Sequence, residues 1–327
     1  MAIANATSAT TFIFTAYVNL SNFRHFCFII AFLMYLITVF FSVSLMLLVY
    51  LENSLHKPMY IFLFNLILNG LLGCNSFYPK FLSSLFSDIP ETTHITCLMQ
   101  AFCIGVYGGC TYATLSLMAY DRYISICNPL RYHDIITPLK IKLLLIFGNL
   151  FPILCMLIHI LLTARLPICG NTIHKIFCDN WAIVKLSCVE TGVNNVFGLF
   201  LTTILVVFPF VLVIYSYMKI LLISLKASKE AQYKALSTCA PHLITFINFT
   251  IASIFSIIYN RFEMKLEFST HILMSMQFII IPPLLHPIIY GIRTKEIRKC
   301  IVKAISRRKV TSRRLNLFSI SKHFPTD

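Results

Sequence analysis

The chain has 327 residues, of which 58% are hydrophobic and 12% are charged, and its formal charge is +15 at pH 7. This composition predicts a membrane chain. The positive charge does not indicate nucleic acid as a partner, because no zinc-finger spacing, recognition-helix pattern or stacking platform accompanies it. Contact with anionic membrane lipid accounts for the basic residues.

Seven stretches of about 20 apolar residues are long enough to cross a bilayer as helices. The second and third are the least apolar, and we expect them to face neighbouring helices, where small and polar residues are tolerated. The sequence therefore predicts an all-α membrane protein with an N-terminal segment (1–25), a seven-helix bundle (26–292) and a tail (293–327). The seven spans are residues 26–50, 58–84, 98–120, 141–164, 196–223, 235–259 and 269–292.

Most of the 27 Lys and Arg residues fall on one side of this bundle, and many of them follow the last span. By the positive-inside rule that side is cytoplasmic, so the N-terminus lies outside the cell. We therefore expect a multi-pass plasma-membrane protein with an extracellular N-terminus and a cytoplasmic C-terminus. The sequence Asn5-Ala6-Thr7 then predicts N-glycosylation of Asn5.

Asp121 and Arg122 directly follow the third span and begin a basic loop. An arginine at the bilayer centre costs about 3 kcal/mol or more, so Arg122 should sit at the membrane boundary. We expect the neighbouring Asp121 to pair with it. An ion pair at this boundary can act as a conformational switch.

The twelve cysteines divide by their position relative to the membrane. Cys97 precedes the third span, and Cys169, Cys178 and Cys188 follow the fourth, so all four face the oxidising side, where disulfides are permitted. Four cysteines allow three pairings, and their spacing does not select one. The other eight lie in spans or on the cytoplasmic side, where cysteine usually serves as a packing residue.

A further amphipathic segment follows the seventh span. Residues 294–305 alternate basic and apolar side chains at helical spacing. This pattern predicts a short eighth helix that lies on the inner leaflet. Thr294 stands where it can cap the start of that helix.

Several short motifs occur in a fixed order along nearly the whole chain, and together they resemble odorant receptors, a branch of the rhodopsin-like G-protein-coupled receptors. The resemblance implies a small-molecule odorant as ligand and a heterotrimeric G protein as partner, of the stimulatory type that raises cyclic AMP. We expect no enzymatic activity, no cofactor and no bound metal. The motifs are LHKPMY at 55–60, YPKFL at 78–82, MAYDRYISICNPLRY at 118–132, SYMKI at 216–220, KALSTCAPH at 234–242 and PPLLHPIIYGIRTKEIR at 282–298.

The same resemblance assigns roles to individual residues. It implies the disulfides Cys97–Cys178 and Cys169–Cys188, which would tie an extracellular loop to the third helix. It also implies that Tyr217 and Tyr290 swing inward when the Asp121–Arg122 pair opens. This movement would make room for a helix of the G protein. The expected switch and coupling residues are Asp121, Arg122, Tyr123, Tyr217, Pro287 and Tyr290.

The chain departs from the family pattern at the buried sodium site that rhodopsin-like receptors commonly carry. The family has an Asp in helix two and an Asn in each of helices one and seven, and here Gly70, Ser42 and His286 stand at these positions. A helix-three Glu that is frequent in odorant receptors is replaced by Thr111. All twelve acidic residues fall at helix ends or outside the spans. We therefore expect no sodium site.

Other functional classes fit the sequence less well. A transporter needs intramembrane ionisable groups, whereas this bundle offers mainly His159, His271 and His286. A channel needs a polar pore-lining stripe or a filter loop, and the sequence shows neither. A membrane hydrolase needs a cluster of histidine and carboxylate, and the histidines of the spans have no carboxylate one turn away. The alternatives are a non-olfactory rhodopsin-like receptor and, less favoured, a transporter.

The ligand site is expected in the extracellular half of the bundle. Counting back from Arg122 along helix three at 3.6 residues per turn identifies the residues that share one face of this helix in the extracellular half. Family geometry suggests the opposing residues on helices five, six and seven. The candidate ligand-facing residues are Ile104, Gly105, Gly108, Gly109, Leu201, Thr202, Leu205, Ser253, Ile257, Met276 and Ile279.

The polarity of this site predicts the class of ligand. No acidic residue is expected to face it, so a cationic amine would lack a buried counter-ion. Neutral or anionic small molecules are therefore favoured over amines.

Overall fold

The computed structural model describes residues 11–17, 23–262, 268–303 and 306, so Asn5 lies outside the described residues. Within them, seven helices are long and apolar enough to cross a membrane. Every predicted span lies inside one of these helices, and the seven-helix prediction is confirmed. The helices are α1 (Arg24–Leu51), α2 (Pro58–Leu85), α3 (His94–Cys127), α4 (Pro138–Ala164), α5 (Gly192–Ser224), α6 (Lys229–Phe262) and α7 (Phe268–Arg293).

Local capping explains why the observed helices begin before the apolar runs. The Thr93 side chain accepts a hydrogen bond from the Thr96 N–H at 3.2 Å and starts α3. Thr137 does the same for the Lys140 N–H at 3.3 Å at the start of α4. A threonine at this position satisfies one of the free N–H groups of the first turn. Helix α2 begins with Pro58, which needs no N–H partner there.

The predicted eighth helix, α8, is present at residues 295–303. Its inner face buries Ile297 and Cys300. The Cys300 sulfur lies 3.6 Å from the Ser54 hydroxyl, and Lys303 forms an ion pair with Glu52 at 3.1 Å. These contacts fasten α8 to the connection between α1 and α2. We call the end of the bundle that carries α8 and this connection the basic end.

Helix α3 lies at the centre of the bundle and packs against α2, α4, α5 and α6. Glycines allow the close approach of α4. A Cβ atom added at Gly109 would lie 2.9 Å from the Pro152 Cβ atom, and one at Gly105 would lie 2.6 Å from the Met156 sulfur. Small residues at such contacts let helix backbones approach closely and pack without voids.

One turn of α5 is wider than an α-helical turn. The segment Thr203–Val207 is π-helical, with the Phe208 N–H bonded to the Thr203 carbonyl. Pro209 follows at once, and in a regular α-helix its ring would clash with the carbonyl of Leu205. Wide turns of this kind occur where a helix absorbs one extra residue. This turn was not predicted from the sequence.

A small sheet covers the end of the bundle opposite α8, which we call the sheet end. Its strands are β1 (Thr11–Phe14), β2 (Glu91–Thr93) and β3 (Thr172–Ile173), in the order β2-β1-β3. Strand β1 pairs antiparallel with β2 and parallel with β3. The all-α prediction missed these strands because two to four residues give no measurable alternation.

The N-terminal strand is packed into the protein rather than lying on its surface. Phe12 and Phe14 are completely buried. Beyond the strand, the Tyr17 hydroxyl donates to the Ile176 carbonyl at 2.7 Å. The first described residues therefore form part of the core at the sheet end.

Two disulfides hold the segment between α4 and α5. Cys97 at the start of α3 is bonded to Cys178, and Cys169 is bonded to Cys188. These are the pairings that the family resemblance implied. The first bond fixes the loop over the end of α3, and the second closes a short loop upon itself.

Replacing Cys97 with serine is expected to destabilise the folded protein more than replacing Cys169. The Cys97–Cys178 bond joins residues 81 apart, and the Cys169–Cys188 bond joins residues 19 apart. A disulfide restricts the unfolded chain, by about 4.5 kcal/mol for the longer loop and about 3 kcal/mol for the shorter one. Thermal unfolding of the purified variants in detergent would measure the difference.

The control for this prediction is Cys103→Ser, because Cys103 is a free, partly buried cysteine of the same helix. It should unfold close to the wild-type temperature. Equal unfolding temperatures for Cys97→Ser and Cys103→Ser would contradict the stabilising role of the longer bridge.

Candidate functional site

A cavity of about 210 Å³ lies among α3, α4, α5 and α6 and borders the loop after α4. Its wall is mostly apolar, with a few hydroxyl, imidazole and amide groups. Small-molecule sites usually have this composition. Nine of the eleven residues predicted to face a ligand line it: Ile104, Gly105, Gly108, Gly109, Leu201, Thr202, Leu205, Ser253 and Ile257.

The other two predicted residues, Met276 and Ile279, do not line this cavity. Ile279 is completely buried, and its carbonyl accepts a contact from the Cys74 sulfur of α2 at 3.9 Å. Phe278 lines the cavity instead, and its carbonyl accepts from the Tyr107 hydroxyl of α3 at 3.2 Å. Neighbouring residues of a helix point about 100° apart, so one residue of register decides which faces the cavity.

The structure adds lining residues that the sequence analysis missed. Phe177, Asp179 and Asn180 come from the loop, and Met156 and His159 come from α4. The loop residues could have been predicted from the sequence, because a disulfide between Cys97 and Cys178 places the neighbours of Cys178 over α3. The α4 residues carried no such signal, since the sequence does not give the rotation of a uniformly apolar helix.

A hydrogen-bonded polar group forms the loop side of the cavity. The Asn180 amide nitrogen lies 2.8 Å from Nε2 of His159. The Thr163 hydroxyl donates to the Asn180 side-chain oxygen at 2.7 Å and accepts from the Asn194 amide at 3.2 Å. Three elements, α4, α5 and the loop, are thereby held together, and the polar wall of the cavity is fixed in position.

The expectation that no acidic residue faces the cavity is corrected by Asp179. This side chain lines the cavity, but its charge is engaged within the loop. One carboxylate oxygen accepts the Ala182 N–H at 2.9 Å, and the other forms an ion pair with Lys175. Asp179 was placed correctly outside the spans, and the disulfide brings its loop back over the bundle.

Hydroxyl groups of α3 and α6 meet on the opposite side of the cavity. The hydroxyls of Tyr112 and Ser253 are hydrogen-bonded to each other. The Ser253 hydroxyl also lies 3.0 Å from the Thr250 carbonyl, to which it donates. The cavity therefore has an apolar middle between two polar sides.

A second cavity, of about 320 Å³, lies at the basic end of the bundle around Arg122. Its wall mixes apolar and polar groups, and its charged residues are the basic Lys57, Arg122, Arg293 and Lys295 and the acidic Asp121 and Glu296. Among the described residues, Nε of Arg122 is buried and has no hydrogen-bond partner. A buried donor without a partner costs free energy, so this guanidinium is ready to bind an acceptor.

The predicted Asp121–Arg122 ion pair is not present in the described part of the chain. Asp121 is buried and accepts a hydrogen bond from the Tyr132 hydroxyl at 2.7 Å. Side chains at consecutive helix positions do not face each other, so Asp121 and Arg122 both border the cavity without pairing. Burial and the charge of Asp121 raise the pKa of the Tyr132 phenol, which stays protonated and donates.

Replacing Tyr132 with phenylalanine is expected to lower the free energy of unfolding by about 1–3 kcal/mol, because it leaves the buried Asp121 carboxylate without its donor. Thermal unfolding in detergent would measure the loss. Tyr50→Phe is the matched control, since Tyr50 is 70% exposed. An unfolding temperature equal to that of the control would show that the Tyr132 hydroxyl does not stabilise Asp121.

The remaining predicted switch residues lie near the Arg122 cavity. The Tyr217 hydroxyl of α5 is 2.7 Å from Nδ1 of His242, whose Nε2 is 2.8 Å from the Leu115 carbonyl of α3. Tyr290 of α7 is completely buried, and its hydroxyl has no hydrogen-bond partner in the described structure. His242 links three helices, a role that was not predicted although His242 ends the motif KALSTCAPH.

Two further switch residues occupy the same end of the bundle. Tyr123 is partly buried and packs against the core at the basic end. Pro287 lies inside α7, three residues before Tyr290. A proline within a helix removes one backbone hydrogen bond and favours a bend there.

The family departures are packed into the bundle. A Cβ atom at Gly70 would lie 3.3 Å from the Pro283 Cβ atom of α7, so a larger side chain there would meet this proline. Ser42, Thr111 and His286 are buried. Neither ring nitrogen of His286 has a hydrogen-bond partner among the residues described. Pro283 thus occupies the space beside Gly70.

Comparison with known proteins gives consistent matches. The family model described as olfactory receptor matches residues 30–308. Olfactory receptor 52N4 of Homo sapiens is 34% identical over 282 residues, which cover 85% of this chain and 88% of that protein. Olfactory receptor 1E16 of Mus musculus is 34% identical over 282 residues, with the same shares covered. The crystal structure of squid rhodopsin shares the fold, with a TM-score of 0.69 at 14% identity over 88% of this chain and 86% of that one.

Proposed function

The chain belongs to the olfactory receptor family of G-protein-coupled receptors, multi-pass proteins of the plasma membrane, and from this premise we propose where it binds its ligand and how it signals. The odorant binds in the cavity of about 210 Å³ among α3, α4, α5 and α6. The heterotrimeric G protein binds at the cavity around Arg122. The G protein is of the stimulatory type, so activation raises cyclic AMP.

The shape and polarity of the cavity among the helices support its role as the odorant site. One observation carries the proposal: four residues placed by counting along helix three and five suggested by family geometry meet at one cavity with an apolar middle and two polar sides. Apolar surface supplies most of the binding free energy of a small molecule, and a few fixed polar groups set its orientation. The Asn180 amide and the Tyr112–Ser253 hydroxyl pair are such groups.

The position of the positive charge supports the proposed orientation of the receptor in the membrane. The basic end carries Arg122 and the lysines and arginines of α7 and α8, whereas the two disulfides lie at the sheet end. Anionic lipids attract basic segments to the cytoplasmic leaflet, and disulfides persist outside the cell. The N-terminus, including the sequon at Asn5, is then extracellular, and the C-terminus is cytoplasmic.

The charge balance of the odorant cavity supports neutral or anionic ligands over amines. Asp179 is the acidic residue that lines the cavity, and its carboxylate is paired with Lys175 and with the Ala182 N–H. A cationic ligand would have to break these contacts to gain a counter-ion. We expect the resulting affinity to be low, because an ammonium group in an apolar cavity loses its hydration without compensation.

Expression in cells with a cyclic AMP reporter tests the proposal. The ligand panel should contain an alcohol, an aldehyde, a carboxylate and an amine of equal chain length. We expect responses to neutral or acidic members, and none to the amine. Potent activation by the amine would refute the ligand class, and a response through another second messenger in cells that express several G proteins would refute the stimulatory type.

A further inference from the structure

A third cavity, of about 330 Å³, opens between residues 214–225, at and just beyond the end of α5, and residues 232–243 of α6. We call it the α5–α6 groove. It lies in the basic-end halves of the two helices, apart from both cavities described above. Its lining comes from residues at helical spacing on each helix, so two facing stripes form its walls.

The groove is apolar and open to the bilayer. Leu221, Leu225 and Leu236 line it, and each of these side chains is also exposed on the outer surface of the bundle. Both helices belong to the membrane-spanning set, so this outer surface meets acyl chains. An apolar gap of this volume gains dispersion contacts when a flexible hydrocarbon chain fills it.

Positive charge stands at the basic end of the groove. Lys226 directly follows Leu225, and Lys229 precedes the lining residue Gln232 by one turn. Both lysines are exposed, and in the described part of the chain neither forms an ion pair. Gln232 donates to the Ala227 carbonyl at 3.1 Å and so holds the connection between the helices at the groove mouth. Glu230 supplies one negative charge here, and the balance remains positive.

A hydroxyl group lies between the charged end and the apolar stripe. Ser224 lines the groove and is only 8% exposed. Its oxygen has no hydrogen-bond partner among the described residues. A buried hydroxyl without a partner is costly, and a ligand with an acceptor at this depth would satisfy it. The order along the groove is therefore cation, hydroxyl donor, hydrocarbon.

We propose that the α5–α6 groove binds one anionic phospholipid of the leaflet at the basic end. The headgroup phosphate and its additional negative charge meet Lys226 and Lys229, an ester carbonyl accepts from Ser224, and one acyl chain lies along the leucines. A sterol offers no anion for the lysines, and a peptide offers no long unbranched chain for the stripe. The proposal goes beyond odorant binding and uses only the proposed orientation, because anionic lipids are concentrated in the cytoplasmic leaflet.

Photolabelling in lipid nanodiscs tests this site without an odorant or a G protein, so its outcome is independent of the proposed function. The probe is phosphatidylserine with a photoactivatable acyl chain, compared with the matching phosphatidylcholine. Mass spectrometry then locates the labelled peptides. We expect phosphatidylserine to label residues 214–243 preferentially, and labelling there to fall by about fivefold for each lysine lost in Lys226→Gln and Lys229→Gln.

Matched variants separate this groove from the general lipid surface. Lys295→Gln with Lys299→Gln removes two exposed cations of α8 and should leave groove labelling unchanged. Ala235→Trp fills the groove and should abolish labelling, whereas Ile223→Trp, on an exposed face of α5 outside the lining, should not. Equal labelling by the two lipids, labelling that persists after loss of both lysines, or displacement by a sterol probe with no lysine dependence would overturn the proposal. Since the lysines are exposed, their replacement does not put folding at stake.

Discussion

Replacing Arg122 with alanine is expected to abolish activation of the G protein. In the structure its Nε is buried at the basic-end cavity without a partner in the described chain, while Asp121 is held by Tyr132. The arginine is therefore available to a carbonyl or carboxylate of the G protein. Loss of one partner from a desolvated charged contact costs about 2–5 kcal/mol, so the response should fall by about 30-fold or more.

The measurement is agonist-evoked cyclic AMP at matched cell-surface levels of receptor. Arg131→Ala is the control, because Arg131 is an exposed arginine of the same loop region and does not line the cavity. It should signal within about threefold of the wild type, as surface charges contribute little. Signalling by Arg122→Ala equal to that of Arg131→Ala would end the assignment of Arg122 as a coupling residue.

Filling the odorant cavity at Thr202 is expected to remove the response to odorant while leaving the receptor folded. Thr202 and Thr203 are adjacent on α5, and each hydroxyl donates to the carbonyl four residues earlier, at 2.9 Å and 3.0 Å. Thr202 lines the cavity, whereas Thr203 is exposed on the outer surface. An indole at position 202 would occupy much of a cavity of about 210 Å³.

The variants Thr202→Trp and Thr203→Trp place the same side chain in the cavity and on the outer surface, so their comparison tests the prediction. Overpacking and loss of ligand contacts together cost about 1–3 kcal/mol or more, so the odorant concentration for half-maximal response should rise at least about fivefold for Thr202→Trp. Thr203→Trp adds an aromatic side chain at the lipid surface and should respond nearly as the wild type does. A normal response from Thr202→Trp would place the odorant elsewhere.

The spans were predictable because hydropathy over about 20 residues is a strong local signal. Each observed helix contains its predicted span, and the helices extend further because capping threonines such as Thr93 and Thr137 satisfy their first turns. Fixed spacing from Arg122 placed the residues of α3 correctly at the cavity, since one regular helix transmits its register without error.

The register of α7 was not predictable in this way. Phe278 rather than Met276 or Ile279 faces the cavity, and this depends on how α7 packs against α2 and α3. No residue of α7 supplies a fixed reference comparable to Arg122. Prolines within α7 also alter its course, and their effect depends on neighbouring helices.

Contacts between loops and helices were not predicted from the sequence for a different reason. Asp179 and Asn180 reach the cavity only because a disulfide brings their loop back over α3. Asp121 accepts a hydrogen bond from Tyr132 and does not pair with Arg122, because the loop after α3 folds back onto the helix. Charge and spacing indicate which groups can pair, but the path of the chain decides which pairs form.

The widened turn of α5 has a geometric consequence for communication along that helix. With 3.6 residues per turn throughout, Leu201 and Tyr217 would point roughly 160° apart. Absorbing one residue at Thr203–Val207 brings their directions to within roughly 60°. One helix thereby directs Leu201 at the first cavity and Tyr217 at the basic end toward the same interior, and one surplus residue sets the angle between its two halves.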